Sequence, residues 1–347
     1  MQVDLWHLYA LMLKSRLFEV AVSQLWNEGL ISGEMHAGTG EEAIIAGVVS
    51  HLKDGDALAL DHRGTAPLVM RGVDLVALLR EFLAHPDGLC AGMGGHMHLF
   101  SEEILAASSG IVGASAPAAV GFALAAQHLR PGRLAVAFFG EGATNQGMLL
   151  EALNLAVIWK LPVLFVCKDN EWAISTHSPS VTGHNLVDRV RGFGMQTVKV
   201  DGLDVEAVWI AARDAIERAR IGGGPTFLLA RCVHIDGHFL GDPLLRLAHS
   251  PLKEMPSLAG PLLKAVSRAR GAALPQRLES LKTVATTSQW LAKSQTSAKD
   301  DPLRRARKVL ESDPERLIAL EDSISHEIEQ VVELALAPPR KMEEQSA

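Results

Sequence analysis

Two polar clusters at the ends of apolar runs carry the clearest chemistry in this sequence. Gly140-Glu141-Gly142 follows the run 134–139, and Asp169-Asn170 follows the run 163–167. Gly140 and Gly142 lack side chains, so the backbone there can approach a phosphate closely, and a helix N-terminus just beyond them favours an anion. Glu141 and Asn170 offer side-chain oxygens to a hard cation bridging that phosphate, with the Trp172 carbonyl close by in sequence as a third ligand. Gly-x-Gly after a strand also opens dinucleotide-binding units, but the next glycine, Gly147, comes too late for that pattern. No Gly-Lys-Ser/Thr follows, which excludes a P-loop. By itself the pattern points to a phosphate ligand without naming it.

The elements that must position these clusters are legible as alternating short apolar runs and helical patterns. Segments 57–60, 134–139, 163–167, 197–200 and 226–232 read as buried strands, and 116–129, 145–160 and 205–220 as helices. Strands alternating with helices predict an α/β fold with a mostly parallel sheet covered on both faces. Both polar clusters then fall at carboxyl ends of parallel strands, where open α/β sheets place ligands. Residues 1–244 are expected to form this domain. Segment 245–300, broken by Pro251, Pro256, Pro261 and Pro275, reads as an atypical, partly ordered insertion; 301–335 reads as C-terminal helices and 336–347 as a polar tail.

Composition narrows the class. A net charge of −7 over 347 residues gives no electrostatic reason to expect nucleic acid or an anionic membrane as partner. Three widely spaced cysteines, Cys90, Cys167 and Cys232, suggest neither a disulfide framework nor a zinc site and fit a reducing, cytoplasmic setting. Segment 1–22 carries Asp4, Lys14, Arg16 and Glu19 within its apolar pattern, so it reads as an amphipathic helix rather than a signal or transit peptide. Segment 104–127 is uncharged and long enough to span a bilayer. Its serines, glycines and Pro117 make a glycine-rich loop followed by a buried helix the better reading.

The stretch from Ala135 to Thr176 resembles the thiamine diphosphate motif of the α subunits of 2-oxoacid dehydrogenases, the pyruvate, branched-chain and acetoin types. That motif opens Gly-Asp-Gly and closes about thirty residues later in Asn-Asn; Gly140 and Asn170 have that spacing here. Glu151-Ala152-Leu153-Asn154, Trp159-Lys160-Leu161-Pro162 and Ile174-Ser175-Thr176 also match. The resemblance covers roughly 5–243 and resumes near Asp301. Thr39-Gly40-Glu41-Glu42-Ala43 is similar to a helix-opening motif of the family, in which Glu41 and Glu42 read as N-terminal charges favouring the dipole. Arg63, in Asp61-His62-Arg63-Gly64, falls where the family has a diphosphate-binding arginine. The glycine-rich segment 92–98 resembles one carrying an active-site histidine, which maps to His98; Asp236-Gly237-His238 resembles a second such loop, which maps to His238. Gly110-Ile111-Val112-Gly113 resembles the segment that meets the aminopyrimidine ring. His62, His96 and His234 are weaker candidates.

The resemblance thus implies thiamine diphosphate and Mg2+ as cofactors. Arg63, Gly110, Val112, Gly140, Gly142, Ala143 and Asn170 are the implied cofactor positions, Glu141, Asn170 and Trp172 the metal ligands, and His98 and His238 the catalytic groups. It implies decarboxylation of a 2-oxoacid and transfer of the acyl group to a lipoyl acyltransferase, in an α2β2 assembly whose β-type subunit completes the site. Two departures stand out. Glu141 replaces the family's metal-binding aspartate, moving the carboxylate by about 1.5 Å, and Thr65 stands where many relatives have histidine. Together with the insertion 245–300 they motivate an alternative, a thiamine-dependent carboligase or acyl-transfer enzyme without a lipoyl step; a non-catalytic paralogue is a third reading.

Overall fold

The computed structural model describes residues 2–242 and 301–338, with isolated positions between 246 and 286. The expected insertion 245–300 therefore lies largely outside the described residues, and 339–347 of the tail lies wholly outside them. Helix α1 (Leu5–Asn27) is capped by Asp4, whose side chain accepts from the His7 N–H, and it runs about a turn beyond the expected segment. Next come α2 (Glu42–Val49), β1 (Ala57–Leu60), α3 (Thr65–Met70) and α4 (Leu75–Phe82). The chain continues through β2 (Phe100–Ser101), β3 (Ala106–Ser108), α5 (Ser115–Leu129), β4 (Ala135–Gly140), a 3₁₀ turn (Glu141–Asn145) and α6 (Gly147–Ile158). After β5 (Val163–Asp169) come a small hairpin of β6 (Trp172–Ala173) and β7 (Thr176–His177), then α7 (Leu186–Arg191), β8 (Gln196–Val200), α8 (Val205–Arg220) and β9 (Thr226–Arg231). Helices α9 (Pro302–Leu310) and α10 (Pro314–Leu336) close the described chain.

Seven strands form one sheet in the order β2-β3-β1-β4-β5-β9-β8, all parallel except the antiparallel β2 edge. Alternation along each strand sorts its side chains into two cores. Leu58, Leu60, Val136, Phe138, Leu164, Val166 and Leu228 face one layer, shared with α1, α2, α8 and the C-terminal helices. Ala57, Ala59, Ala135, Ala137, Phe165 and Phe227 face the other, covered by α5 and α6. The alanines on that face let α5, itself rich in Ala116, Ala119 and Ala123, approach the sheet closely.

The segment 104–127 divides differently from the expectation. Ala106–Ser108 is a strand of the main sheet, paired with β1, and the helix begins at Ser115. Ala-Ala-Ser has little intrinsic strand preference, and only its place beside β1 makes it a strand. No helix among the described residues is long and apolar enough to cross a membrane.

Candidate active site

Because the strands are parallel, their carboxyl ends share one edge, and the loops leaving β1, β3, β4, β5 and β9 meet there. They enclose a cavity of about 410 Å³. Arg63, Gly110, Val112, Gly140, Glu141, Gly142, Ala143, Asn170, Trp172 and His238 all line it, together with His36, Glu41, Asp61, His62 and His234.

Glu141 opens the 3₁₀ turn after β4 and is 5% exposed. Its Oε1 accepts a hydrogen bond from the Ser178 hydroxyl at 2.5 Å. Burial pushes the carboxyl up to about 7, against the lowering effect of Ser178, and Asp169 adds to the rise. Gly142 has no room for a side chain, since a Cβ there would stand 2.8 Å from the Ala173 Cβ. A Cβ on Gly140, by contrast, would meet only the Lys168 carbonyl, at 3.9 Å. Gly142 thus packs against the β6–β7 hairpin while Gly140 stays open. That hairpin holds Ile174 at φ 58°, a left-handed backbone costly for a β-branched residue, so the loop is fixed against its own preference.

The Asn170 amide decides what the cluster can hold. One of its outer atoms sits 3.0 Å from the Trp172 carbonyl oxygen and 3.1 Å from Glu141 Oε2; the other sits 2.9 Å from His234 Nδ1. With nitrogen toward His234, three oxygens face one another. With the amide reversed, its N–H groups close that space by donating to Glu141 and Trp172. Adjacent ligands of an octahedral Mg2+, bound at 2.0–2.1 Å, lie about 3.0 Å apart. In the first orientation the Asn170 oxygen therefore stands at the spacing of adjacent Mg2+ ligands from both Glu141 Oε2 and the Trp172 carbonyl oxygen.

Beneath the cavity lies a buried ionic network. Lys168 Nζ, on β5, is 2.7 Å from Glu41 Oε2 and 3.1 Å from Asp61 Oδ2, and Glu41 Oε1 accepts from His234 Nε2 at 2.8 Å. Burial alone would raise the Glu41 carboxyl, but Lys168 and the His234 hydrogen bond hold it well below the usual carboxylate range. Glu41 and Glu42 do stand at the start of α2, as read from the sequence, yet neither is a solvated dipole charge. Glu41 belongs to the floor of the site, and Glu42 pairs with Arg16 at 2.5 Å and accepts from the Gly40 N–H.

Arg63 is 2% exposed and already engaged. Its guanidinium donates to the carbonyls of Ala37 and His238, the latter at 2.7 Å, tying two loops of the rim together. Around it gather His36, His62, His96 and His238, with the His36 ring 4.7 Å from His62 and 5.0 Å from His238. His36 Nδ1 and His96 Nε2 share a hydrogen bond at 2.9 Å. Burial first, then Arg63, lowers His36 and His238 to about 3 and His96 to about 4. Burial also lowers His62 to about 3, against the pull of Asp61. These imidazoles are neutral at physiological pH. The buried His62 Nε2 has no hydrogen-bond partner among the described residues.

His98 is placed elsewhere. It is exposed and does not line the cavity, although its Nε2 would lie 3.5 Å from a Cβ on Gly110. The cause is the turn that carries it. Glu81 of α4 accepts from the N–H groups of Cys90, Gly92, Gly94 and Gly95, winding this segment so that His96 points inward and His98 outward.

Comparison with known proteins names this arrangement. The family model described as "Dehydrogenase E1 component" matches residues 9–255. The chain belongs to the dehydrogenase E1 component family. It is 44% identical over 237 residues to the α subunit of the acetoin:2,6-dichlorophenolindophenol oxidoreductase of Cupriavidus necator, covering 67% of this chain and 71% of that protein. It is 35% identical over 262 residues to the pyruvate dehydrogenase E1 component subunit α of Zymomonas mobilis, covering 75% and 74%. Transketolase from Campylobacter jejuni shares the fold, with TM-score 0.53 and 17% identity over 88% of this chain; the E1 chain spans 50% of that transketolase's length.

Sequence reasoning passed over several residues of this E1 site. His36 sits in no motif, and Ser178 reaches Glu141 from 37 positions away. Lys168 directly follows the apolar run 163–167 in the same strand, and a lysine buried in a central strand needs carboxylates beside it.

Proposed function

We propose that this E1 chain is the α-type subunit of a thiamine diphosphate- and Mg2+-dependent enzyme that decarboxylates a 2-oxoacid and passes the acyl group to a lipoyl acceptor. The observation that carries the reading is the converging oxygen face of Glu141, Asn170 and Trp172 beside a cavity with an orphaned His62 nitrogen. A Mg2+–diphosphate fits this donor set: three oxygens for the cation, and neutral imidazoles with N–H groups for the anion.

Glu141, Asn170 and the Trp172 carbonyl would hold Mg2+. The backbone from Gly140 to Ala143, with Arg63, would face the diphosphate, and Gly110 and Val112 the rest of the cofactor. Thiamine diphosphate, when bound, supplies a nucleophilic carbon and a sink for the electron pair released on decarboxylation. The protein supplies position, exclusion of water and protons. His238, neutral and half-buried beside Arg63, is suited to orient the substrate carboxylate or hold a proton at its imidazole during acyl transfer. His98, exposed beside Gly110 and outside the cavity, would meet an arriving acceptor rather than the buried chemistry.

A β-type partner, in an α2β2 enzyme, is part of the proposal. Exposed Ile111, Val112 and Ile174, 63%, 53% and 58% accessible, rim the cavity where a second subunit would close it. The three free thiols fit a cytoplasmic enzyme. A second reading has its own support: two acetoin-oxidoreductase α subunits are 44% and 40% identical to the chain, against 33% to 36% for pyruvate dehydrogenase E1 α subunits among its relatives. In that reading an acyloin is cleaved in place of a 2-oxoacid.

The test is dye reduction by the reconstituted two-chain complex with pyruvate, branched-chain 2-oxoacids and acetoin. Turnover of a 2-oxoacid with carbon dioxide release, dependent on Mg2+ and thiamine diphosphate, supports the first reading. Turnover of acetoin alone replaces it with the second.

A further inference from the structure

The cation site works in only one orientation of the Asn170 amide, and the amide alone does not choose it. The choice is made by what lies behind it. Lys168, fully buried on β5, holds Glu41 Oε2 at 2.7 Å, keeping that carboxylate ionised and therefore an acceptor only. Glu41 Oε1 lies 2.8 Å from His234 Nε2, so that nitrogen must carry the proton. A neutral imidazole with its proton on Nε2 presents a lone pair at Nδ1. Nδ1 lies 2.9 Å from the Asn170 amide, which can satisfy it only by offering N–H. The amide oxygen is then turned toward Glu141 Oε2 and the Trp172 carbonyl.

We propose that His234 is a positioning residue that, fixed by Glu41 and Lys168, turns the Asn170 oxygen toward the cation. The inference rests on the proposed reading of the Glu141–Asn170–Trp172 face as a Mg2+ site. Its physical content is a trade between two states. Without the cation and with Glu141 ionised, the orientation sets an amide oxygen 3.1 Å from a carboxylate oxygen and 3.0 Å from a carbonyl oxygen, relieved by a long hydrogen bond from the Trp172 N–H at 3.3 Å. If His234 no longer demanded a donor, the amide would reverse, exchange the long bond from the Trp172 N–H for two that it donates to Glu141 and the Trp172 carbonyl, and close the face. The cation would then have to break both bonds to enter. His234 keeps the site open at the expense of the empty state. Such partners behind a metal ligand typically change affinity by about 10–100-fold.

The test uses the full chain in complex with its partner at saturating thiamine diphosphate, with Mg2+ affinity measured by calorimetry and thermal melting as a control. His234→Leu should raise the Mg2+ Kd by about 10–100-fold. His234→Gln, which can still donate to Glu41 and accept from Asn170, should stay within about threefold of wild type. In an Asn170→Asp background the carboxylate presents oxygen either way up, so His234→Leu should there change Kd by less than about threefold. An unchanged Kd in His234→Leu, or the same loss in both backgrounds, overturns the proposal, the second outcome marking packing damage. Should His234→Leu not fold, ¹⁵N spectra of imidazole-labelled wild-type protein, assigned with His234→Gln, decide the matter: an Nε2–H tautomer supports the proposal and Nδ1–H overturns it. A wild-type complex that binds neither Mg2+ nor thiamine diphosphate refutes the reading of the site and this inference with it. A wild type that binds both, with an insensitive His234→Leu, refutes the inference alone.

Discussion

Shortening Glu141 to aspartate, the residue the family resemblance leads one to expect, should weaken the cation site rather than repair it. In the structure the glutamate carboxylate serves two partners. Oε1 accepts from Ser178 Oγ at 2.5 Å, and Oε2 lies 3.1 Å from the Asn170 amide. Removing one methylene withdraws the carboxylate by about 1.5 Å. If the Ser178 bond is kept, the Asn170 separation grows toward about 4.6 Å, far from the 3.0 Å or so between adjacent Mg2+ ligands. If the metal position is kept, the bond to Ser178 is lost, a hydrogen bond to a charged group worth about 1.5–3 kcal/mol. Either way Glu141→Asp should raise the Mg2+ Kd by roughly 10–100-fold, at about 1.4 kcal/mol per tenfold. The assay is a Mg2+ titration of the purified complex at saturating thiamine diphosphate, followed by calorimetry or tryptophan fluorescence. An aspartate variant binding as tightly as wild type, or tighter, would refute the reasoning. Tighter binding by tenfold or more would mark Glu141 as a degraded ligand and favour a non-catalytic paralogue.

Other consequences follow from the same geometry. Burial raises Glu141 to about 7, so Mg2+ must displace a proton below that pH; its affinity should fall about tenfold per pH unit below about 7 and level off above it. Burial also raises Glu19 to about 8 from an ordinary 4.5, with Glu42 and Glu41 adding to it against a bond from the Gly38 N–H. The folded state then holds a proton that the unfolded chain has released. Its stabilising effect is complete below about pH 4.5 and is lost by about pH 8, at about 1.4 kcal/mol per pH unit. Glu19→Gln should therefore match wild type in thermal melts near pH 4.5 and exceed it increasingly toward pH 8; an equal difference at both pH values would contradict this. Gly40 has φ 101°, and a Cβ there would stand 2.0 Å from the Val233 carbonyl oxygen, so Gly40→Ala should cost more than about 3 kcal/mol in denaturant unfolding. A loss under about 1 kcal/mol would show that the loop yields.

How much of this was legible in the sequence follows from the range of the interactions. The strands 57–60 and 163–167 declare themselves because the central strands of a covered sheet are apolar on both faces, and α8 because Asp204 caps an amphipathic run. The cluster at the carboxyl ends of β4 and β5 was readable because parallel strands bring their ends to one edge. Short, alanine-rich β3 was not, because pairing with β1 rather than its own residues makes it a strand. The Lys168–Glu41 ion pair spans 127 positions, and no local pattern announces it. His96 and His98 differ by two residues in a glycine-rich turn, and the Glu81 hydrogen bonds decide which ring turns inward to meet His36.

The central claim is that this chain holds thiamine diphosphate and Mg2+ together with a second subunit. The most direct measurement is to purify the tagged chain from its own cells, identify stoichiometric partners and assay the complex for bound thiamine diphosphate. The account predicts a β-type partner in equal amount and about one thiamine diphosphate per α chain. A solitary chain that carries no cofactor, and binds none when thiamine diphosphate and Mg2+ are supplied, would contradict it.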